Sequence, residues 1–260
     1  MTQTMNLAPR ARVLGCEIDR LDMHEAVERC EHHIEARVPA QHMAVNAAKV
    51  VAMQDDTQLL RLVNDCEIVT ADGQAVVWAS RLLRDPLPSR VTGIDLMQEL
   101  LALAERKDYG VYLLGARAEI LEQAVARTRR RHPKLRIVGH RDGYFSEQHE
   151  RDVVDTIRRA QPDLLFVAMP SPRKERFIGR WRDDLDVPLC MGVGGSIDVI
   201  AGVTRRAPRP LQRLGLEWAY RLAQEPRRLL RRYLVGNWRF VTLTLRHVAA
   251  GFVSNKLARY

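Results

Sequence analysis

No apolar run in this chain approaches the roughly 18 to 20 residues that cross a bilayer, so the sequence offers no membrane-spanning helix. Nor does its N-terminal stretch combine a basic start, a long apolar run and a small-residue cleavage site, and the expectation is a chain that stays in the cytosol. Cysteine is scarce and scattered. Cys16, Cys30, Cys66 and Cys190 form no Cys-x-x-Cys pair and have no histidine at ligand spacing, which argues against a zinc site and for reduced, buried thiols. No internal repeat and no low-complexity linker divides the sequence. At 260 residues, 46% of them apolar, the chain is expected to bury one main core with at most a small appendage.

What is present is unevenly distributed. The formal net charge is +9, yet from Arg205 onward 12 Arg and Lys256 face only Glu217 and Glu225, so the residues before Arg205 sum to −2. A nearly neutral body with a cationic tail points the tail at something anionic: nucleic acid, a lipid surface or a diphosphate.

Along the body, short apolar runs alternate with amphipathic segments. The pattern predicts strands at 13–18, 42–45, 67–71, 109–114 and 136–139. Helices are predicted at 24–36, 47–53, 57–63, 74–83, 95–104, up to about 131, and 147–159. The stretch from Asp163 to Pro208 then gives two more apolar runs, each leading into a polar turn and a helix. This alternation predicts an α/β fold, a mostly parallel sheet flanked by helices and Rossmann-like, over residues 1–210.

Beyond Pro210 the strand signals stop. Two helices are predicted, 211–224 and 226–248, with Pro226 suited to a first helical position. At about 100° per residue, Arg228, Arg231, Arg232, Arg239 and Arg246 share one side of the second helix, and Leu230, Leu234, Val241, Leu245 and Val248 the other. A basic amphipathic helical appendage over residues 211–260 is therefore expected, able to lie on an anionic membrane or to dock on the body with a solvated basic face.

Gly-rich turns at the C-terminal ends of parallel strands leave backbone N–H groups free, so a phosphorylated small molecule is the expected ligand. Gly194 and Gly195, ahead of the segment containing Asp198, form one such turn. Asp72, followed by Gly73 in ThrAlaAspGly, is a carboxylate at a strand-to-helix turn and equally a candidate helix N-cap. Asn46 closes another strand and Arg90 lies in a turn. Arginine suits a diphosphate because its planar fork gives two parallel hydrogen bonds.

Several segments, in order, carry a family resemblance: ThrAlaAspGly, ArgValThrGlyIleAspLeu, the ProSerProArgLysGlu stretch, GlyGlySerIleAspValIleAlaGly followed by ArgArgAlaPro, and LeuGluTrpAlaTyrArgLeu, GluProArgArg and ArgArgTyr in the tail. Together, over roughly residues 13–240, they resemble the WecG/TagA/CpsF group of bacterial glycosyltransferases, glycosyltransferase family 26. The resemblance implies an inverting, metal-independent enzyme without a cofactor. It would move a sugar from a UDP-sugar to a sugar on undecaprenyl diphosphate, peripherally on the cytoplasmic face of the membrane and often as a homo-oligomer. It implies Asp72 as the general base, Asn46, Gly73, Arg90, Lys174, Glu175, Gly194, Gly195 and Asp198 as donor or substrate contacts, and Arg221, Arg228, Arg231 and Arg232 at the acceptor diphosphate or membrane.

The chain departs from the family pattern at two places. Ala44 stands where Thr is usual, and Lys174 stands where Gln is usual. A lysine there can meet a donor carboxylate or phosphate, or pair with Glu175 or Asp72, which leaves the donor open among UDP-glucose, UDP-N-acetylmannosamine, a uronic acid and other UDP-sugars. Asp184-Leu185-Asp186 imitates the carboxylate pair of metal-dependent glycosyltransferases but, lying at a helix end in a charged stretch, reads as a solvated loop. Two other classes remain as alternatives: a nucleic-acid-binding protein acting through its basic tail, which the near-neutral body disfavours, and a nucleotide-sugar-binding regulator without turnover.

Overall fold

The structure is a computed structural model that describes residues 9–213, 215–224 and 226–257, without the side chains of 213, 221, 227–235 and 251–257. It opens with β1 (Ala11–Val13) and β2 (Cys16–Ile18), which pair antiparallel. One strand was expected over 13–18. The chain instead reverses at Leu14 and Gly15, with φ of 52° and 85°, the two positive values that a tight two-residue hairpin turn requires. Leucine at the first of these positions hides the turn from a sequence reading.

Then follow α1 (Met23–Ala36), β3 (Ala40–Val45), α2 (Ala47–Asp55), α3 (Thr57–Asn64), β4 (Ile68–Ala71), α4 (Gln74–Leu82) and α5 (Gly93–Lys107). Next come β5 (Gly110–Gly115), α6 (Ala118–Arg131), β6 (Arg136–Arg141), a 3-10 turn at Glu147–His149 and α7 (Glu150–Ala160). The body closes with β7 (Leu164–Ala168), α8 (Arg173–Leu185), β8 (Leu189–Gly192) and α9 (Ser196–Ile200). Local chemistry sets the helix starts. Asp22 and Glu25 form a reciprocal capping box on α1, and Asn46, Asp56 and Thr92 each accept a backbone N–H in the first turn of the following helix.

Six strands form one parallel sheet in the order β4-β3-β8-β7-β5-β6, which bears out the α/β expectation. Side chains alternate between its faces. Leu165, Val167 and Cys190 join a core with α2, α3, α7 and α8, while Leu164, Phe166 and Met191 join one with α1, α5 and α6. Each large side chain fully buried here, Phe166 and Phe177 among them, contributes about 1.5 to 3 kcal/mol through removal from water. All four cysteines are free and buried, and burial pushes each thiol up to about 12.

After the sheet come α10 (Arg209–Arg213), α11 (Glu217–Gln224) and α12 (Pro226–Leu257). A single helix was expected over 211–224. It breaks at Gly215, which takes a φ of 71° and sits so close to α4 that a Cβ would stand 2.8 Å from Gln74. Phe240 and Thr244 bury α12 against the body, where Phe240 joins the core shared with α2. Trp238, Val241 and Leu245, spaced three and four residues apart, face outward, with Trp238 73% exposed. Of the apolar stripe read from sequence, Val241 and Leu245 thus face away from the body and Val248 is half-buried, while the side chains of Leu230 and Leu234 lie outside the described residues. No helix among the described residues is long and apolar enough to cross a membrane.

Candidate active site

Parallel strands deliver their C-terminal ends to one edge, and β3 and β4 place two of the sequence-derived residues side by side there. Val45 pairs with Ala71, so Asn46 and Asp72 leave neighbouring strands at the same level. Asp72 N–H donates to Val45 O at 2.8 Å. Gly73 closes against this pair: a Cβ on it would meet Asn46 Cβ at 3.4 Å. Asn46 Oδ1 accepts Lys49 N–H at 3.0 Å as the cap of α2, which leaves its amide N–H groups for a ligand.

Asp72 is not a helix cap. Gly73 holds that position on α4, and the Asp72 carboxylate turns to the first turn of α5, where Oδ1 accepts Gly93 N–H at 3.1 Å. Its Oδ2 has no hydrogen-bond partner among the described residues. The loop carrying Arg90 is tied to the same strand end, because Val91 N–H donates to Ala71 O at 2.9 Å. Arg90 and Asp72 thus flank one backbone contact. Gly93 lies over Ala44, whose methyl would stand 3.4 Å from a Cβ at Gly93, so the small side chain that replaces the family's usual threonine sits under the turn that holds Asp72.

Lys174 and Glu175 open α8 and are buried beneath the ends of β3 and β8. The Lys174 stem crosses Gly192, where a Cβ would come within 3.2 Å of Cε. Its Nζ lies 2.7 Å from Glu175 Oε1, and Lys49 Nζ reaches the same oxygen at 2.8 Å. Burial raises the Glu175 carboxyl, but the two ammonium groups outweigh it and hold the acid down at about 2. Two buried cations thus share one carboxylate under the strand ends. Sequence reasoning missed Lys49, since nothing local ties it to a residue on α8.

At the end of β8, Gly194 takes a φ of 49° and has open space where a side chain would stand. Gly195 is exposed. Asp198 lies in α9, which is only five residues long, so any anion seat here rests on the turn's N–H groups and not on a helix dipole. Arg117, after β5, hydrogen-bonds Tyr144 and feels the charge of Asp198. Tyr144, 72% exposed beside the Gly143 turn, is another residue sequence reasoning passed over. The Asp184-Leu185-Asp186 run, expected as a solvated loop, instead forms the last turn and cap of α8: Leu185 is buried and Asp184 pairs with Arg151 at 2.9 Å.

The side chains of Arg221, Arg228, Arg231 and Arg232 lie outside the described residues. The tail meets the strand ends through another residue, Glu217, whose carboxylate lies 3.4 Å from Arg90 and 3.6 Å from Arg206. Arg239 clamps Asp55 of α2 with two bonds of 2.5 and 2.6 Å. A groove between α3 and α8, lined by Gln58, Leu62, Arg176 and Arg180, holds none of the groups gathered at the strand ends.

A model described as "Glycosyl transferase WecG/TagA/CpsF family" matches residues 11–251. The chain is 35% identical over 196 residues to the N-acetylglucosaminyldiphosphoundecaprenol N-acetyl-beta-D-mannosaminyltransferase of Bacillus subtilis (strain 168), covering 75% of this chain and 76% of that protein. The protein of the same name in Bacillus spizizenii is 36% identical over 189 residues, covering 73% and 72%.

Proposed function

Because this chain belongs to the WecG/TagA/CpsF family of glycosyl transferases, we propose that it is an inverting, metal-independent enzyme with a UDP-sugar donor and an undecaprenyl-diphosphate-linked sugar as acceptor. The observation that carries this reading is Asp72: a carboxylate beside Asn46, anchored through one oxygen by Gly93 and with the other open. In an inverting transfer a base removes the acceptor hydroxyl's proton while the hydroxyl attacks the anomeric carbon from the face opposite the departing UDP. Asp72 Oδ2 takes that proton. The Gly93 bond fixes the orientation of the carboxylate.

UDP leaves with developing negative charge, which preorganised donors must meet. Lys174 and the Gly194–Gly195 turn fill that role, with Asp198 nearby. Asn46, Gly73 and Arg90 orient the sugar and acceptor. Both relatives are named for N-acetylmannosamine transfer to an N-acetylglucosaminyl diphospholipid. Here Lys174 and Ala44 leave the donor open between an N-acetylhexosamine and a hexose, as used in surface or exopolysaccharide assembly. Residues 211–260 act as the membrane-facing appendage at the cytoplasmic side, with Arg221, Arg228, Arg231 and Arg232 turned to the acceptor diphosphate or anionic lipid.

The test is a panel of UDP-sugars incubated in EDTA with the full chain and a lipid diphosphate carrying one sugar, followed by mass analysis of the lipid. A gain of one sugar mass from one donor is the expected result. No gain from any donor on several lipid acceptors would overturn the reading.

A further inference from the structure

Arg206 lies in the loop between α9 and α10 and spends both terminal nitrogens on one partner. Its Nη1 and Nη2 clamp Asp95, in the first turn of α5, at 2.5 and 2.6 Å. Burial pushes the Asp95 carboxyl up, yet the Arg206 and Thr92 hydrogen bonds outweigh it and hold the acid low. Asp95 therefore fixes the guanidinium in place as a charged, oriented donor. The third nitrogen, Nε, is buried and makes no good hydrogen bond among the described residues. Glu217 Oε1 stands 3.6 Å from it, beyond a good bond.

Arg90 shows the same shortfall. Its Nη1 meets Glu217 Oε2 only at 3.4 Å, although both side chains are largely buried, at 16% and 13% exposure. One carboxylate thus bridges two guanidinium groups, with a long contact to each. Charge-assisted bonds of this kind normally close to about 2.7 to 2.9 Å. The spacing suits a larger anion with more oxygens.

The place is informative too. Arg90 precedes Val91, which is pinned to the end of β4, and Asp72 follows that strand. Glu217 is the first residue of α11 and follows Gly215, the left-handed break pressed against α4. The carboxylate is therefore carried from beyond the Gly215 turn into a cationic pair, one member of which, Arg90, sits in the loop tied to the strand end that carries Asp72.

We infer that Arg90 and Arg206 form a diphosphate seat and that Glu217 is an internal anion which occupies it until the ligand displaces it. Departure of Glu217 exposes Arg206 Nε–H and an Arg90 nitrogen to phosphate oxygens and frees α11 to move about Gly215. Binding of a diphosphate and displacement of Glu217 are then one exchange. The ligand's identity rests on the glycosyltransferase reading; the seat itself does not.

The experiment is calorimetric titration of the full chain with inorganic pyrophosphate. Glu217→Gln removes the competing charge and is expected to tighten binding about tenfold. Arg206→Gln is expected to weaken it by a similar factor and to abolish the gain when combined with Glu217→Gln. Unchanged or weaker binding by Glu217→Gln, in a protein with the wild-type circular dichroism and melting curve, overturns the proposal. Should that variant not fold, Glu217→Asp withdraws the carboxylate by one methylene; a severalfold tightening supports the exchange and no change overturns it.

Two further titrations separate the source of the diphosphate. A gain for a short polyprenyl diphosphate but not for UDP assigns the seat to the acceptor. A gain for UDP, alone or with the lipid, assigns it to the donor path, and a gain for neither overturns the seat as a substrate site. Pyrophosphate binding can pass while every transfer assay fails, so the two readings fail separately.

Discussion

Gly93 donates its backbone N–H to Oδ1 of Asp72 at 3.1 Å, and this bond joins the end of β4 to the start of α5. An amide oxygen can accept the same N–H, so Asp72→Asn should keep the turn and lose only the base. Transfer is expected to fall by about 10²- to 10⁴-fold. Donor affinity and melting temperature should remain near wild type. A variant with full kcat would remove Asp72 from the mechanism.

Glu175 is the one carboxylate between two buried ammonium groups. Glu175→Gln removes the charge that both ammonium groups share, and unfolding in urea should show a loss of about 3 to 5 kcal/mol. A loss under 1 kcal/mol would mean that water or a rearranged lysine compensates.

His42 lies fully buried on β3, with Nε2 3.0 Å from Thr70 Oγ1 and Nδ1 unpartnered among the described residues. Burial first, and Lys49 second, push it down to about 3 from an ordinary value of 6.5. Because the folded state resists the proton that the unfolded state takes up below 6.5, this group's contribution is intact above pH 6.5 and falls as pH drops towards 3. The slope is on the order of 1.4 kcal/mol per pH unit at most. Glu175, also depressed, adds a loss only below its ordinary 4.5. Melting curves between pH 7 and 5 should therefore fall for the wild type and flatten for His42→Gln.

Trp238, Val241 and Leu245 form the outward stripe of α12. Replacing Trp238 and Leu245 by Glu should abolish sedimentation with vesicles rich in phosphatidylglycerol while shifting the melting temperature little, since both are exposed. Unchanged sedimentation would assign membrane contact to another surface.

The α/β architecture was legible because each buried strand reads as a short apolar run of its own, and Asp72 and Asn46 stood out because both end such runs. Their adjacency needed only that β3 and β4 pair. The hairpin at Leu14 was not legible, since a leucine gives no sign of a positive φ. The break at Gly215 was marked by its glycine, yet only the closeness of Gln74 shows why it is required. The ion clusters were hidden for another reason. Lys49 and Glu175, or Arg90 and Glu217, are more than a hundred positions apart, and no local periodicity reports a contact across that distance. Lys174 was foreseen as a partner for Glu175, but not the second lysine. Glu217 and Arg206 both lie inside segments singled out for their resemblance, though neither was singled out as a residue.

Finally, the native thiols are all sequestered, with Cys16, Cys30, Cys66 and Cys190 pushed up to about 12. At neutral pH they offer almost no thiolate to an alkylating reagent. The unmodified chain is thus already a silent background for labelling. A single cysteine placed at Trp238 or Gly195 would react alone, so a fluorophore there could follow the appendage on a vesicle, or ligand arrival at the β8 turn, without first removing any residue from the core.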